Sequence, residues 1–160
     1  MIALDTNVLV RLLTADDPEQ TAAATRLVER AVRDSARLEV STIVLCETVW
    51  VLKTGYEFPK SRIVAAVSEM LETLHLRVEQ DADVRRALAA FASGRGDFAD
   101  YLIRERALAA GAAAVATFDG PLLAETGFIH PDPDRWSGDV AFHERPPEYG
   151  SRRPRRRSAR

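Results

Sequence analysis

A single α/β domain built on a small parallel sheet is the fold this sequence predicts, and three observations predict it. Short apolar runs with strand character alternate with longer segments of helical periodicity. The 160 residues, 46% of them apolar, make one domain of ordinary size with material for a real core. No internal repeat divides the chain, which argues against a stacked-repeat architecture.

The elements follow in order. Residues 2–4 are apolar, stop at Asp5 and read as a short buried strand. Val8, Leu9, Leu12 and Leu13 share one helical face, so a helix is expected over 7–13. Asp16-Asp17-Pro18-Glu19-Gln20 is a helix start, with an acid as cap and Pro at the first helical position. That helix continues through 22–32, with Leu27, Val28, Ala31 and Val32 inward. Residues 37–40 form a second strand. Ser41 caps a third helix, which ends near Gly55. Phe58-Pro59 opens a fourth, with Ile63, Val64, Val67, Met70 and Leu71 on its face. A short strand over 74–78 and a helix over 81–92 come next. Gly94-Arg95-Gly96 is a break. A helix over 97–110 closes at Gly111, a strand covers 112–117, and Asp119-Gly120-Pro121 turns the chain. A short helix over 122–124 and a strand at 128–129 complete the domain, which spans 1–130. Residues 131–160 are polar, proline-rich and without apolar periodicity, and read as a C-terminal extension.

Charge and cysteine content narrow the function. Residues 151–160 hold six arginines and no acid, so the other 150 carry a net −8 against −2 for the whole chain. An acidic body does not predict non-specific nucleic-acid affinity, but it suits a protein that keeps carboxylates for a metal. The lone Cys46 excludes an intrachain disulfide or a cysteine zinc site and suits a reducing cytosol. No apolar run is long enough to cross a bilayer, and Asp5 interrupts the start in a way a secretory signal does not.

Four acids stand where chemistry is expected. Open α/β sheets put their sites at the carboxyl ends of the strands. Asp5 ends the first strand and Asp119 follows the strand over 112–117. Glu47 has Ile43, Val44, Trp50 and Val51 three and four positions away, which sets a carboxylate within an apolar helical stripe. Burying such a charge is expensive unless it is paired or holds a metal. Asp97 and Asp100 open a helix. There Asp97 is a natural N-cap, and Asp100 is favoured by the helix dipole whether or not it binds anything. Asp119 before Gly-Pro is equally a turn former. Together Asp5, Glu47, Asp100 and Asp119 make an oxygen-ligand set for Mg²⁺ or Mn²⁺, a site suited to phosphodiester hydrolysis. Thr6, Asn7, Ser41 and Thr117 are short polar neighbours that could orient ligands or water, although Ser41 serves equally as a cap. His75, His130 and His143 lack metal spacing and supply no general base. Trp50 and Trp136 read as packing and tail residues, and Cys46 as a small buried hydrophobe.

At this point the sequence resembles a family. Ile2-Ala3-Leu4-Asp5-Thr6-Asn7-Val8-Leu9-Val10-Arg11 is similar to the opening of PIN-domain proteins, in particular the VapC-type toxins of bacterial toxin–antitoxin pairs. The segments 16–20, 40–42 with 47–52, 97–103 and 117–119 resemble the rest of that pattern, in order and at similar spacing. The likeness covers about residues 1–130. It implies a PIN-like α/β/α sandwich with a small central parallel sheet and a metal-dependent ribonuclease activity. It implies Asp5, Glu47 and Asp100 as core metal ligands, Asp119 as a more variable fourth, and Asp97 as accessory. It also implies a homodimer, an RNA substrate and a cognate antitoxin, with no membrane role. Most relatives stop near Ile129, so the extension inherits nothing. Arg152, Arg153, Arg155, Arg156 and Arg157 could grip RNA phosphates, or could simply be a solvated terminus.

Two other readings compete. A PIN-like binding module without turnover would be favoured by a missing core acid, and all four are present. A phosphatase of the haloacid dehalogenase type wants a second acid two residues after the first, where Asn7 stands.

Overall fold

Five short strands and six α-helices are built where the caps and periodicity place them, in a computed structural model that describes residues 1–136. His143, the arginines of 151–160 and most of the expected extension lie outside the described residues. In chain order the elements are β1 (Ile2–Ala3), α1 (Thr6–Thr14), α2 (Pro18–Arg33), β2 (Leu38–Val40), α3 (Thr42–Thr54), α4 (Lys60–Glu72), β3 (Leu76–Val78), α5 (Asp81–Ser93), α6 (Phe98–Ala109), β4 (Val115–Ala116) and β5 (Phe128–Ile129). Single turns of 3₁₀ helix occupy Leu122–Ala124 and Pro133–Arg135.

The expected starts and stops are built from the expected groups. Asp17 accepts the Gln20 N–H with Pro18 as the first helical residue, and Ser41 accepts the Val44 N–H. Beyond the end of α6, Gly111 takes φ +95°, a conformation that costs glycine little.

Every strand pairing is parallel. β1, β2 and β3 lie in that order, with Ile2 opposite Leu38 and Leu38 opposite Leu76. β4 and β5 pair separately, with Val115 opposite Phe128. This corrects the expectation of a buried first strand. β1 bonds on one side only, so Ile2 and Ala3 are exposed and Leu4 alone turns into the core. Around Leu38, Val40 and Val78 the core is filled by Leu45, Val49 and Leu52 of α3, Ile63 and Val67 of α4, Val84 and Phe91 of α5, and Phe98, Tyr101 and Leu102 of α6. Charged pairs fasten α5 to α6. Buried Glu105 accepts from Arg86 Nε at 2.8 Å and Arg104 Nη2 at 2.9 Å, and buried Asp83 also pairs with Arg86. Among the described residues no helix is long and apolar enough to cross a membrane.

Candidate active site

Asp5 stands where β1 has ended and α1 has not begun. Its backbone is extended (φ −96°, ψ 174°), and its Oδ1 caps α1 by accepting the Val8 N–H at 2.9 Å. One oxygen therefore serves the fold and the other faces solvent. Next to it, Thr6 is buried, and its hydroxyl donates to Glu47 Oε2. That bond sets Glu47 against the turn carrying Asp5, so two of the four acids are brought together by a residue between them.

The route by which sequence singled out Glu47 needs correcting. The face of α3 that enters the core carries Leu45, Thr48, Val49 and Leu52. Glu47 is on the other side, with Ile43 at 79% and Trp50 at 63% exposure. The apolar stripe around Glu47 is thus a surface stripe, and Trp50 is not a packing residue. The carboxylate keeps its solvation instead of bearing a burial cost. Cys46, beside it, is half-buried, and that burial raises its thiol pKa.

Asp100 is the third residue of α6 and half-buried. Its Oδ2 accepts the Asp97 N–H at 2.8 Å. Asp97 is the N-cap residue of α6 and forms an ion pair with Lys53 from the last turn of α3. That pairing holds the two helices together and commits Asp97 to Lys53. Asp119 is exposed. Its N–H donates to Thr117 Oγ1 at 3.0 Å, its carbonyl accepts from Leu122 and Leu123, and its carboxylate bonds to nothing among the described residues.

Of the remaining candidates, Asn7 is exposed beside Asp5 in a shallow groove with Val8, Arg11 and Gln20. Ser41 is a helix cap, as its competing reading had it, and Thr117 accepts a turn bond from the Asp119 N–H. Sequence reasoning missed Glu79. Its Oε2 accepts both the N–H and the hydroxyl of Thr42, at 2.9 and 3.0 Å, and so anchors the start of α3. These bonds, the Thr42 N–H foremost, hold Glu79 below the usual carboxylate range. It also missed Lys53 and Tyr101, because their partners are distant in sequence.

A hard divalent cation suits the donor chemistry. All four acids offer oxygen, none is in an ion pair among the described residues, and each of Asp5, Glu47 and Asp100 has one oxygen fixed by a neighbour. The side chains as they stand are not drawn to one point. Among the described residues no three His, Cys, Asp or Glu groups are gathered closely enough to hold an ion. A cavity of about 370 Å³, lined by residues such as Leu9, Leu13, Val28 and Met70, contains none of the four acids. Asp5, Glu47 and Asp119 are exposed and Asp100 is half-buried, so a long polymer has access that a closed pocket would deny it.

The fold defines a parallel α/β protein, and Asp5, Glu47, Asp100 and Asp119 are its candidate oxygen donors. The PIN domain model matches residues 2–128, and the chain belongs to the PIN domain family. It is similar to a VapC ribonuclease of Aquifex aeolicus (strain VF5), with 27% identity over 128 residues, covering 80% of this chain and 93% of that relative. No solved structure matches the chain.

Proposed function

We propose that this chain is a metal-dependent endoribonuclease and the toxin of a toxin–antitoxin pair. What carries the reading is the set Asp5, Glu47, Asp100 and Asp119, present together in a PIN domain and free of ion pairs among the described residues. Similarity to a VapC ribonuclease supports the same activity. The four acids hold Mg²⁺ or Mn²⁺, which when bound acidifies a water and offsets charge on the scissile phosphate.

The chain's own groups prepare the site. The Val8 N–H holds Asp5, the Thr6 hydroxyl holds Glu47, and the Asp97 N–H holds Asp100, so three carboxylates are oriented before substrate arrives. An open site favours unpaired RNA, whose backbone can bend onto it. A cognate antitoxin controls the activity, the working form is a homodimer, and the compartment is the cytoplasm. Residues 1–130 carry the nuclease and 131–160 an extension. The arginines of 151–160 either grip RNA phosphates or form a solvated terminus, and deleting 151–160 with no change in the salt dependence of binding assigns them to the second role.

The test is purified protein with a panel of RNAs, in Mg²⁺ and in EDTA, beside Asp5→Asn. Cleavage is expected only for the unsubstituted protein with metal. Cleavage surviving both EDTA and the substitution removes the metal mechanism. Tight RNA binding with no cleavage of any RNA turns the reading to a binding module.

A further inference from the structure

Asp100 stands in the first turn of α6 and Asp119 in the loop after β4, and one buried hydroxyl joins the segments that lead to them. Tyr101 follows Asp100 in α6 and is fully buried. Its hydroxyl accepts the Gly96 N–H at 2.9 Å and donates to Glu125 Oε1 at 2.8 Å. The same oxygen of Glu125 accepts the Arg95 N–H at 2.8 Å. Together they close the Gly94–Arg95–Gly96 loop, which leads directly into Asp97 and its bond to Asp100.

Glu125 is tied to Asp119 just as continuously. The Leu122 and Leu123 N–H groups donate to the Asp119 carbonyl, and the Glu125 N–H donates to the Leu122 carbonyl. Leu122 is buried, and its side chain lies against Gly96. A Cβ on Gly96 would stand 2.5 Å from Leu122 Cδ2 and 3.3 Å from Asp100 Oδ2. The Asp119 loop therefore meets the segment that leads to Asp100 at a contact that only a glycine allows. Beside that contact, Glu125 Oε1 links them by two polar bonds, from the Tyr101 hydroxyl and from the Arg95 N–H. Desolvation raises the Tyr101 pKa and keeps the hydroxyl a donor, while the Arg95 N–H and the Tyr101 hydroxyl hold Glu125 below the usual carboxylate range.

We propose that Tyr101 and Glu125 are positioning residues that fix Asp119 relative to Asp100 and so set the affinity of the four acids for a divalent cation. The proposal rests on the reading of the four acids as metal ligands. Neither residue touches the cation. Tyr101→Phe keeps the buried ring but removes both bonds of the hydroxyl, to the Gly96 N–H and to Glu125, so the Arg95 N–H alone still holds Glu125 and the register between the Asp100 and Asp119 segments loosens. Glu125→Ala loosens it from the other side. Glu125→Gln keeps an acceptor oxygen for both donors and should preserve the register.

The test is Mn²⁺ binding by titration calorimetry on the full chain, at a temperature where circular dichroism shows every variant folded. Tyr101→Phe and Glu125→Ala should each weaken Mn²⁺ binding by about tenfold, the low end for loss of a partner that orients metal ligands. Glu125→Gln should stay within about twofold of the unsubstituted chain. In an Asp119→Asn background, Tyr101→Phe should add less than about twofold, because the residue it acts through is already lost.

Unchanged Mn²⁺ affinity in folded Tyr101→Phe overturns the proposal, as does a full tenfold loss in the Asp119→Asn background. If the unsubstituted chain binds no Mn²⁺, or binds it equally well as Asp5→Asn, the metal reading falls and the positioning role with it. If Asp5→Asn abolishes binding and Tyr101→Phe does not alter it, the positioning role falls alone.

Discussion

The Thr6 hydroxyl donates a hydrogen bond to the Glu47 carboxylate across 41 positions of sequence. It joins the turn that follows β1 to the middle of α3, and it reaches the one acid that no element end positions. Thr6→Val keeps the shape of the side chain and removes the donor. A hydrogen bond to a charged group contributes about 1.5–3 kcal/mol, and about 1.4 kcal/mol of it expressed in the transition state is tenfold in rate. Thr6→Val should therefore cleave RNA at least about tenfold more slowly, while Thr6→Ser, which keeps the donor, stays near the original rate. Equal rates for the two variants would show that the bond holds the fold alone.

Asp5 has two separable duties, and two substitutions divide them. Its Oδ1 caps α1 through the Val8 N–H. Asparagine caps a helix about as well as aspartate, whereas alanine in place of a capping acid costs about 1 kcal/mol. Asp5→Asn should keep the unfolding midpoint and lose cleavage. Asp5→Ala should lose cleavage and about 1 kcal/mol of stability in urea unfolding. An Asp5→Asn chain as destabilised as Asp5→Ala would make the charge, and not the cap, the structural requirement.

Gly94 is required by proximity and not by backbone angle. Its φ of −85° suits any residue. A Cβ there would stand 1.9 Å from the Tyr101 hydroxyl oxygen and 2.8 Å from the Ala90 carbonyl oxygen. Neither can retreat easily, since one is buried in a hydrogen-bonded network and the other is helix backbone. Gly94→Ala should cost about 1–3 kcal/mol by thermal or urea unfolding, the range for overpacking a filled core. A smaller loss would mean that the Tyr101 ring can shift away from the loop.

Most element ends were legible because they depend on near neighbours. Asp17-Pro18, Ser41 and Gly111 announce their caps within three residues, and Asp5 marks the end of β1 in the same way. The orientation of α3 was not legible. Ile43, Val44, Leu45, Val49, Trp50, Val51 and Leu52 put apolar side chains nearly all round it, so periodicity could not say which face is inward. Glu47 was picked out by a premise of burial that the structure overturns, yet the bond from Thr6 supplies a separate reason for its place. Pairing between distant segments was equally hidden. Nothing local tells β4 to pair with β5 instead of β1, or Tyr101 to find Glu125.

Asp16 should make part of the stability depend on pH. The Tyr56 hydroxyl, the Thr14 hydroxyl and Arg11 all donate to its carboxylate, and they lower its pKa to about 2. The network closes the α1–α2 turn onto the segment after α3. Because the folded-state value lies below the ordinary aspartate range, the contribution is complete above that range and is lost as pH falls toward about 2. Urea-unfolding midpoints of the original chain and Asp16→Asn should differ most above about pH 5 and converge from about pH 4 downward. A gap constant across that window would assign the loss to shape instead of charge.

The two faces of α3 make the last prediction, and it separates a surface stripe from a core stripe on one helix. Leu52 is completely buried among core residues, whereas Trp50, two positions earlier, is 63% exposed. Truncating a buried leucine removes its transfer free energy and leaves a cavity, so Leu52→Ala should cost about 2–5 kcal/mol. Trp50→Ala removes a larger side chain, yet most of it is in water already, and the chain should stay within about 0.5 kcal/mol in urea unfolding at low protein concentration. Repeating the pair at high concentration extends the test to the proposed homodimer. A midpoint that rises with concentration for the original chain, and no longer does so for Trp50→Ala, would place the exposed stripe of Ile43 and Trp50 in the contact between copies. A large loss for Trp50→Ala at low concentration would instead return that stripe to the core and undo the outward placement of Glu47.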